Sequence, residues 1–173
     1  QTCALPIFDL LRGMFALAIW DERDRTLFMA RDRIGVKPLY YSNKNGRFLF
    51  ASEIKALLAS GDVARNVNIR AFYDYLSFLT TPAPHTLFEG IRKLPAGHWL
   101  KVDARGNETL KQWWTPLSAH AIDAGENAHV AEIRRLLRES IRYRMVSDVP
   151  FGVFLSGGID SSTNVALMAE MMD

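Results

Sequence analysis

The sequence predicts an α+β fold followed by the beginning of an α/β fold. Residues 8–115 alternate short runs of strand-forming residues with polar turns, which is typical of antiparallel hairpins. Residues 128–173 instead combine a long amphipathic helical pattern with a short apolar run at Phe151–Leu155, two adjacent glycines and a second helical pattern. An apolar strand that leads through a tight turn into a helix is typical of the start of a parallel sheet.

Three pairs of antiparallel strands are predicted in residues 8–115. Each pair is adjacent in sequence, and the ranges are Met14–Trp20 with Leu27–Ala30, Lys37–Ser42 with Arg47–Ala51, and Trp99–Val102 with Thr109–Trp114. The middle pair is joined through Asn45-Gly46, a dipeptide that tolerates the positive φ angles of a tight hairpin.

Helical spacing of apolar residues predicts three further elements. The first helix covers Glu53–Ser60. The second begins after Asn68, whose side chain is a favourable N-cap, and it ends before Thr81–Pro84 because proline interrupts a helix. The third covers residues 130–145, and its many arginines are expected to lie on a solvated face.

Composition and charge exclude several classes of partner. The net charge is +2 over 173 residues, which gives no electrostatic reason to expect nucleic acid or an anionic membrane as a partner. No apolar run approaches the roughly 20 residues needed to cross a bilayer. Cys3 is the only cysteine, so no disulfide can form within the chain, and the reducing cytoplasm is the expected compartment.

The chain is expected to divide into four segments. Gln1–Ile7 fits no pattern that follows it, and one reverse translation of it resembles a sequencing-library adapter, so we interpret it as non-native. Cys3 lies in this segment and is not a candidate nucleophile. An amino-terminal nucleophile uses its own free amine as the base, and Cys3 has two residues before it. Residues 8–115 are expected to form the first domain, 116–127 a linker, and 128–173 the start of the second domain.

The segment that carries chemistry is Ser156–Ser162, with the sequence Ser-Gly-Gly-Ile-Asp-Ser-Ser. Gly157 and Gly158 have no Cβ, so the backbone can approach a ligand closely. The helix that follows starts with N–H groups that have no internal partner, and its dipole adds partial positive charge. A terminus of this kind binds phosphate, and the serine hydroxyls add further donors.

Asp160 is the unusual member of this loop. A carboxylate beside a phosphate is repelled unless a cation lies between them, so Asp160 indicates Mg²⁺. The loop has no lysine and is therefore not a Walker loop, which has the pattern Gly-x-x-x-x-Gly-Lys-Ser/Thr. At this point one alternative stays open, in which Asp160 or Ser161 only caps a helix behind a tight glycine turn.

Taken together, the motifs identify a family resemblance. Ser156–Ser162 resembles the pyrophosphate-binding loop of the ATP pyrophosphatases, which include asparagine, argininosuccinate and GMP synthetases. Ser147–Val153 is similar to the approach to that loop in asparagine synthetases. Four earlier segments resemble, in order, the second half of the glutaminase domain of class II amidotransferases of the asparagine synthetase family: Gly13–Asp21, Arg31–Tyr41, Ala51–Leu57 and Leu94–His98.

The resemblance implies both a fold and a reaction. The fold would be the back half of an Ntn-type αββα glutaminase sandwich, then the first strand, loop and helix of a parallel-sheet, PP-loop ATP pyrophosphatase domain. In this family a cysteine hydrolyses glutamine, ATP adenylates the side chain of aspartate, and ammonia displaces AMP. Carried onto this sequence, the pyrophosphate would be held by Ser156, Gly157, Gly158, Ser161 and Ser162, Mg²⁺ by Asp160, and the nucleotide by the backbone of Leu155.

The same resemblance implies ATP and Mg²⁺ as cofactors, glutamine and aspartate as small-molecule partners, and a homodimer as one expected assembly. The family's catalytic cysteine and glutamine-binding residues would precede Phe8, and its later ATP-domain elements would follow Asp173. We therefore expect an internal fragment that itself neither hydrolyses glutamine nor makes asparagine.

Two other functions stay open. One is a related amidotransferase that acts on another carboxylate acceptor, and the other is an interaction module without catalysis. Within the first domain, Arg31, Asp32 and Arg33 are expected to form a structural ion-pair cluster rather than a catalytic one.

Overall fold

A computed structural model of the chain describes residues 5–118 and 124–172. The chain divides into two compact units, unit 1 (Gln1–Ser118) and unit 2 (Ala119–Asp173). Cys3 and the middle of the expected linker at 116–127 lie outside the described residues.

Unit 1 is built from short strands and helices. Its strands are β1 (Ala16–Asp21), β2 (Thr26–Arg31), β3 (Tyr40–Lys44), β4 (Arg47–Ala51), β5 (Arg92–Lys93), β6 (His98–Val102) and β7 (Glu108–Gln112). Its helices are α1 (Leu5–Leu10), α2 (Ile54–Ala59) and α3 (Ile69–Phe78), with a 3₁₀ turn at Pro116–Ser118. Unit 2 contains α4 (Glu126–Arg144) and α5 (Ile159–Met172).

Two antiparallel sheets form the core of unit 1. One has the strand order β1-β2-β6-β7, and the other has the order β4-β3-β5. Their facing sides share one buried cluster, which includes Met29 and Leu100 from the larger sheet, Tyr41 from the smaller sheet, and Leu94 directly after β5. Alternate side chains along each strand point outward, where Phe8 of α1 packs on the larger sheet and α2 packs on the smaller. The layers therefore run helix, sheet, sheet, helix.

The α+β prediction for this unit is confirmed, with shifts at the ends of elements. β4 has the predicted range, whereas the strand predicted at Lys37–Ser42 begins only at Tyr40. The predicted N-cap of α3 is present, because the Oδ1 of Asn68 accepts a hydrogen bond from the Ala71 N–H at 3.1 Å. α3 ends at Phe78, where Leu79 takes a left-handed conformation with φ 55°.

A single arginine at the end of β2 joins the two sheets. The Nε of Arg31 donates to the carbonyl of Lys37 at 2.7 Å, Nη1 to that of Leu94 at 2.7 Å, and Nη2 to that of Gly35 at 2.6 Å. Leu94 follows β5 of the smaller sheet, so one planar guanidinium on the larger sheet satisfies two carbonyls of the loop between β2 and β3 and one beside the smaller sheet. Burial lowers the pKa of Arg31, and the nearby Asp32 carboxylate opposes that change.

Asp32 completes this arrangement, which we call the Arg31–Asp32 clasp. Its side chain is buried, and its two carboxylate oxygens accept hydrogen bonds from the N–H groups of Val36 and Lys37, both at 2.9 Å. The sequence predicted that Arg31 and Asp32 belong to a cluster of ion pairs, and this prediction is wrong about their hydrogen-bond partners. The hydrogen bonds of Arg31 and Asp32 go to backbone groups, because the loop after β2 has no neighbouring strand to satisfy them.

Gly97 links the segment after β7, which contains Trp113 and Trp114, to the clasp. Its N–H donates to the carbonyl of Asp32 at 2.9 Å, and its carbonyl accepts from the N–H groups of Trp113 at 2.8 Å and Trp114 at 3.2 Å. Trp113 in turn stacks on Phe8. A Cβ at position 97 would lie 2.5 Å from the Trp114 carbonyl oxygen, and φ there is +63°.

Glu108 on the edge strand β7 ties the sheets together at another point. Its carboxylate accepts from the Nδ2 of Asn43 at 2.9 Å and pairs with the Nη1 of Arg92 at 3.4 Å. Both partners belong to the smaller sheet. The opposite edge of the larger sheet is β1, whose Ile19 and Trp20 are more than half exposed.

We expect Arg31→Lys to lower the free energy of unfolding of the chain by about 2 kcal/mol or more, because an ammonium cannot reach three carbonyls fixed in the geometry of a planar fork. Urea denaturation followed by circular dichroism measures the effect. Arg47→Lys is the matched control, since Arg47 makes an exposed ion pair with Asp62, and it should cost less than about 1 kcal/mol. Equal losses in the two variants would contradict the clasp.

We expect Gly97→Ala to destabilise the chain by about 2 kcal/mol or more, because it adds a backbone clash to the strain of a positive φ. Gly61→Ala isolates the strain, since Gly61 has a φ of +78° but open space around its added Cβ. Denaturation midpoints that fall equally for both glycines would show that the close approach of Trp114 is unimportant.

Candidate functional site

The glycine loop of unit 2 is not preceded by a strand in this structure. The run Phe151–Leu155 was predicted to be a buried parallel strand, and this prediction is wrong: the segment has no strand, and Phe154 is 99% exposed. The reason is physical, since a parallel strand needs neighbours for its hydrogen bonds and cover for its faces. Among the described residues, every paired strand belongs to unit 1.

The loop itself takes a conformation that its glycines allow. Gly157 has a φ of +78°, and a Cβ built there would meet nothing within 4 Å. A Cβ on Gly158 would meet only the Oγ of Ser156, at 3.5 Å. The space beside both glycines is therefore open, so a ligand could approach the backbone closely there.

Two serine hydroxyls cross the loop and bond to each other. The Oγ atoms of Ser156 and Ser161 are 3.0 Å apart, and the Ser161 Oγ also accepts from the Ser156 N–H at 3.3 Å. The same hydroxyl donates to the Gly158 carbonyl at 3.1 Å. The Ser161 Oγ thus accepts a hydrogen bond from the backbone of the loop, as an oxygen of a bound phosphate would.

The first turn of α5 supplies further donors. The first backbone hydrogen bond of the turn runs from the Ser162 N–H to the Gly158 carbonyl at 3.1 Å, so the N–H groups of Ile159, Asp160 and Ser161 precede it. Asp160 lies in this turn and is exposed. Leu155, at the other end of the loop, is 61% exposed. The predicted binding residues are thus neighbours around one open, donor-rich turn.

The residues present fit a magnesium–phosphate group. Hydroxyls and backbone amides can hold phosphate oxygens, and the Asp160 carboxylate can hold the metal, which normally takes its remaining ligands from phosphates and water. Within residues 5–118 and 124–172, no group of three or more His, Cys, Asp or Glu side chains could hold a metal without such help.

A long-range ion pair that sequence reasoning missed supports this helix. Glu170 near the end of α5 pairs with Arg138 of α4, and also with Arg134 at 3.4 Å. Leu167 and Ile141 are buried on these two helices. Two arginines of the face predicted to be solvated therefore also pair with α5. Local spacing in the sequence could not have revealed a pair 32 residues apart.

Comparison with known proteins identifies the class of unit 1. The sequence model of the glutamine amidotransferase domain family matches residues 5–114, which is well over half of the chain. The chain therefore belongs to the glutamine amidotransferase domain family. A second model, described as asparagine synthase, matches residues 132–173 and includes the glycine loop.

The relatives narrow this class and confirm the resemblance to glutamine-hydrolysing asparagine synthetases. The chain is 38% identical over 162 residues to asparagine synthetase [glutamine-hydrolyzing] 3 of Bacillus subtilis, a match that covers 93% of this chain and 26% of the relative. It is 36% identical to the putative asparagine synthetase [glutamine-hydrolyzing] 2 of Methanocaldococcus jannaschii, covering 96% of this chain and 33% of the relative.

A third relative carries a different name. The amidase chyE of Penicillium rubens is 34% identical over 171 residues, covering 97% of this chain and 25% of the relative. The chain thus spans about a quarter to a third of the length of these curated relatives.

In the described part of the chain, no helix has the length and apolar character that a bilayer crossing requires.

We expect Ser161→Ala to speed hydrogen exchange of the Ser156 amide by roughly three- to tenfold, because the N–H loses an acceptor worth about 1 kcal/mol. Nuclear magnetic resonance of the labelled chain measures this exchange residue by residue. Ser162→Ala is the matched control, because the Ser162 hydroxyl makes no hydrogen bond among residues 5–118 and 124–172, and it should leave the Ser156 amide unchanged. Identical exchange in wild type and Ser161→Ala would contradict the hydroxyl bridge.

Proposed function

We propose that this chain is part of an ATP-dependent asparagine synthetase. The enzyme would amidate aspartate through a β-aspartyl-AMP intermediate, using ammonia from glutamine and giving asparagine, glutamate, AMP and pyrophosphate. The main support is the order of features along one chain, in which an amidotransferase sandwich is followed by an open Ser-Gly-Gly-x-Asp-Ser-Ser turn at the start of a helix. In the proposed enzyme, this order would combine a source of ammonia with a polyphosphate site.

The proposed residue roles are those that the family resemblance implies, and the open loop geometry supports them. The hydroxyls of Ser156, Ser161 and Ser162, with the amides at Gly157 and Gly158, would hold the pyrophosphate of ATP. Asp160 would hold Mg²⁺, which neutralises the charge that develops on the leaving pyrophosphate. Leu155 would contact the nucleotide through its backbone. A carboxylate is a poor electrophile, so adenylation of aspartate gives ammonia a carbonyl with a good leaving group.

The domain organisation is part of the same proposal. Residues 8–115 would belong to the amidotransferase domain, 116–127 to a linker and 128–173 to the synthetase domain. The Ser156–Ser161 hydroxyl bridge would exchange for phosphate contacts when ATP binds, so the loop keeps its shape with and without nucleotide. We also propose that the protein acts in the cytoplasm, without nucleic acid or membrane as a partner.

A second candidate function is amidation of a carboxylate other than that of aspartate. The relative named amidase chyE favours it, because that protein matches the same residues at an identity close to that of the asparagine synthetases. AMP release by the full-length enzyme in the presence of glutamine separates the two functions. The first predicts that release depends on aspartate, and the second that aspartate leaves it unchanged.

We expect Asp160→Ala in the full-length enzyme to slow aspartate-dependent AMP release by roughly a hundredfold or more, because the metal loses its protein ligand. Glutamate release from glutamine should persist, which shows that the rest of the enzyme is folded. Glu126→Ala is the matched control, since Glu126 also lies in the first turn of a helix, and it should leave AMP release intact. Normal ATP consumption in Asp160→Ala would overturn the proposed role of the loop.

A further inference from the structure

A half-buried lysine lies beside the Arg31–Asp32 clasp. Lys93 is the second residue of β5, where it lies opposite Tyr40 of β3. The residue that follows it is Leu94, whose carbonyl accepts from the Nη1 of Arg31 at 2.7 Å. The Arg31 guanidinium is therefore fixed to the residue next to Lys93, and the two cationic side chains lie in one neighbourhood.

The amine of Lys93 has a partner that does not require it to be charged. Its Nζ donates to the carbonyl of Thr81 at 2.6 Å. Within residues 5–118 and 124–172, no carboxylate forms an ion pair with Lys93. A hydrogen bond to a carbonyl needs one N–H, and a neutral amine has two of them. The amine can therefore lose a proton and keep this hydrogen bond, and its nitrogen then has a free lone pair.

The surroundings of this amine also disfavour its charged form. Partial burial removes water from the ammonium, and the Arg31 guanidinium repels a second positive charge. Both effects lower the pKa of Lys93, and burial is the larger cause. Tyr40, opposite Lys93 in the ladder, has a hydroxyl and no carboxylate to offset them. The Lys93 N–H donates to the Pro84 carbonyl at 2.9 Å, which fixes the backbone from which the amine extends.

Lys55 provides the opposite case in the same unit. Its Nζ lies 2.8 Å from the Oε2 of Glu53, and its side chain is 82% exposed. The hydrogen bond to Glu53 and the charge of that carboxylate raise the pKa of Lys55. Exposure therefore favours a reagent reaching Lys55, whereas the chemical state of the amine favours reaction at Lys93.

We propose that Lys93 is a site of acylation by acyl phosphates, because its amine keeps its one hydrogen bond when neutral and has a guanidinium as its neighbour. The lone pair of Nζ attacks the acyl carbon, a C–N bond forms, and the C–O bond to the phosphate breaks. Inorganic phosphate leaves with that electron pair, and the nitrogen gives one proton to water. The product is a neutral amide. The site lies in unit 1 and does not depend on the proposed function.

Treatment of the 173-residue chain with acetyl phosphate near neutral pH tests this, with peptide mass spectrometry to follow each lysine. Lys93 should be acetylated at least roughly threefold faster than Lys55. The neutral fraction of an amine changes about tenfold per unit of pKa, and the partial burial of Lys93 offsets part of that advantage. Acetylation of Lys55 at an equal or higher rate would overturn the proposal, because exposure alone would then decide which amine reacts.

Two controls show whether the fold causes the preference. In urea, the unfolded chain removes the surroundings of both lysines, so Lys93 and Lys55 should react at equal rates. In the folded chain, the rate at Lys93 should level off at a lower pH than the rate at Lys55. A preference that persists in urea would overturn the proposal, because local sequence would then be its cause. Coincident pH profiles in the folded chain would overturn it as well.

Discussion

The fold of unit 1 depends on satisfying the backbone of one loop, the segment between β2 and β3. That segment passes from one sheet to the other and has no neighbouring strand, so its carbonyls and amides need partners from side chains. The Arg31 guanidinium takes two carbonyls of this loop and that of Leu94 after β5. The Asp32 carboxylate takes two amides of the loop, and the Gly97 N–H donates to the Asp32 carbonyl. Without these groups the two sheets would still have apolar faces and the contacts of Glu108, but this loop would no longer fix how one sheet lies on the other.

The sequence predicted the local elements well and their long-range partners poorly. The Asn45-Gly46 turn, the Asn68 cap and the helical spacing of α4 are local signals, and all three elements are present. The charges of Arg31 and Asp32 predict a cluster of ion pairs, which the structure does not form between them. Their actual partners are backbone groups, one of them 63 residues away, and no side-chain pattern records where a carbonyl will point.

The Phe151–Leu155 run shows a different limit. Its composition is that of a buried strand, but a strand of a parallel sheet is a property of several segments at once. The loop that follows is less dependent on neighbours, because its shape comes from the φ of Gly157 and from hydrogen bonds between residues at most five apart. This explains how an open, donor-rich turn can be present where the strand before it is not.

The two edges of the larger sheet are protected unequally. On β7, the inward-facing Glu108 places a charge where an incoming strand would have to pack, which is how natural sheets discourage edge-to-edge pairing. β1 has no such charge facing inward, and it exposes Ile19 and Trp20 beside a row of backbone groups unpaired in the described structure. During refolding from denaturant at high concentration, aggregation would therefore start along β1, where cross-β growth has a template.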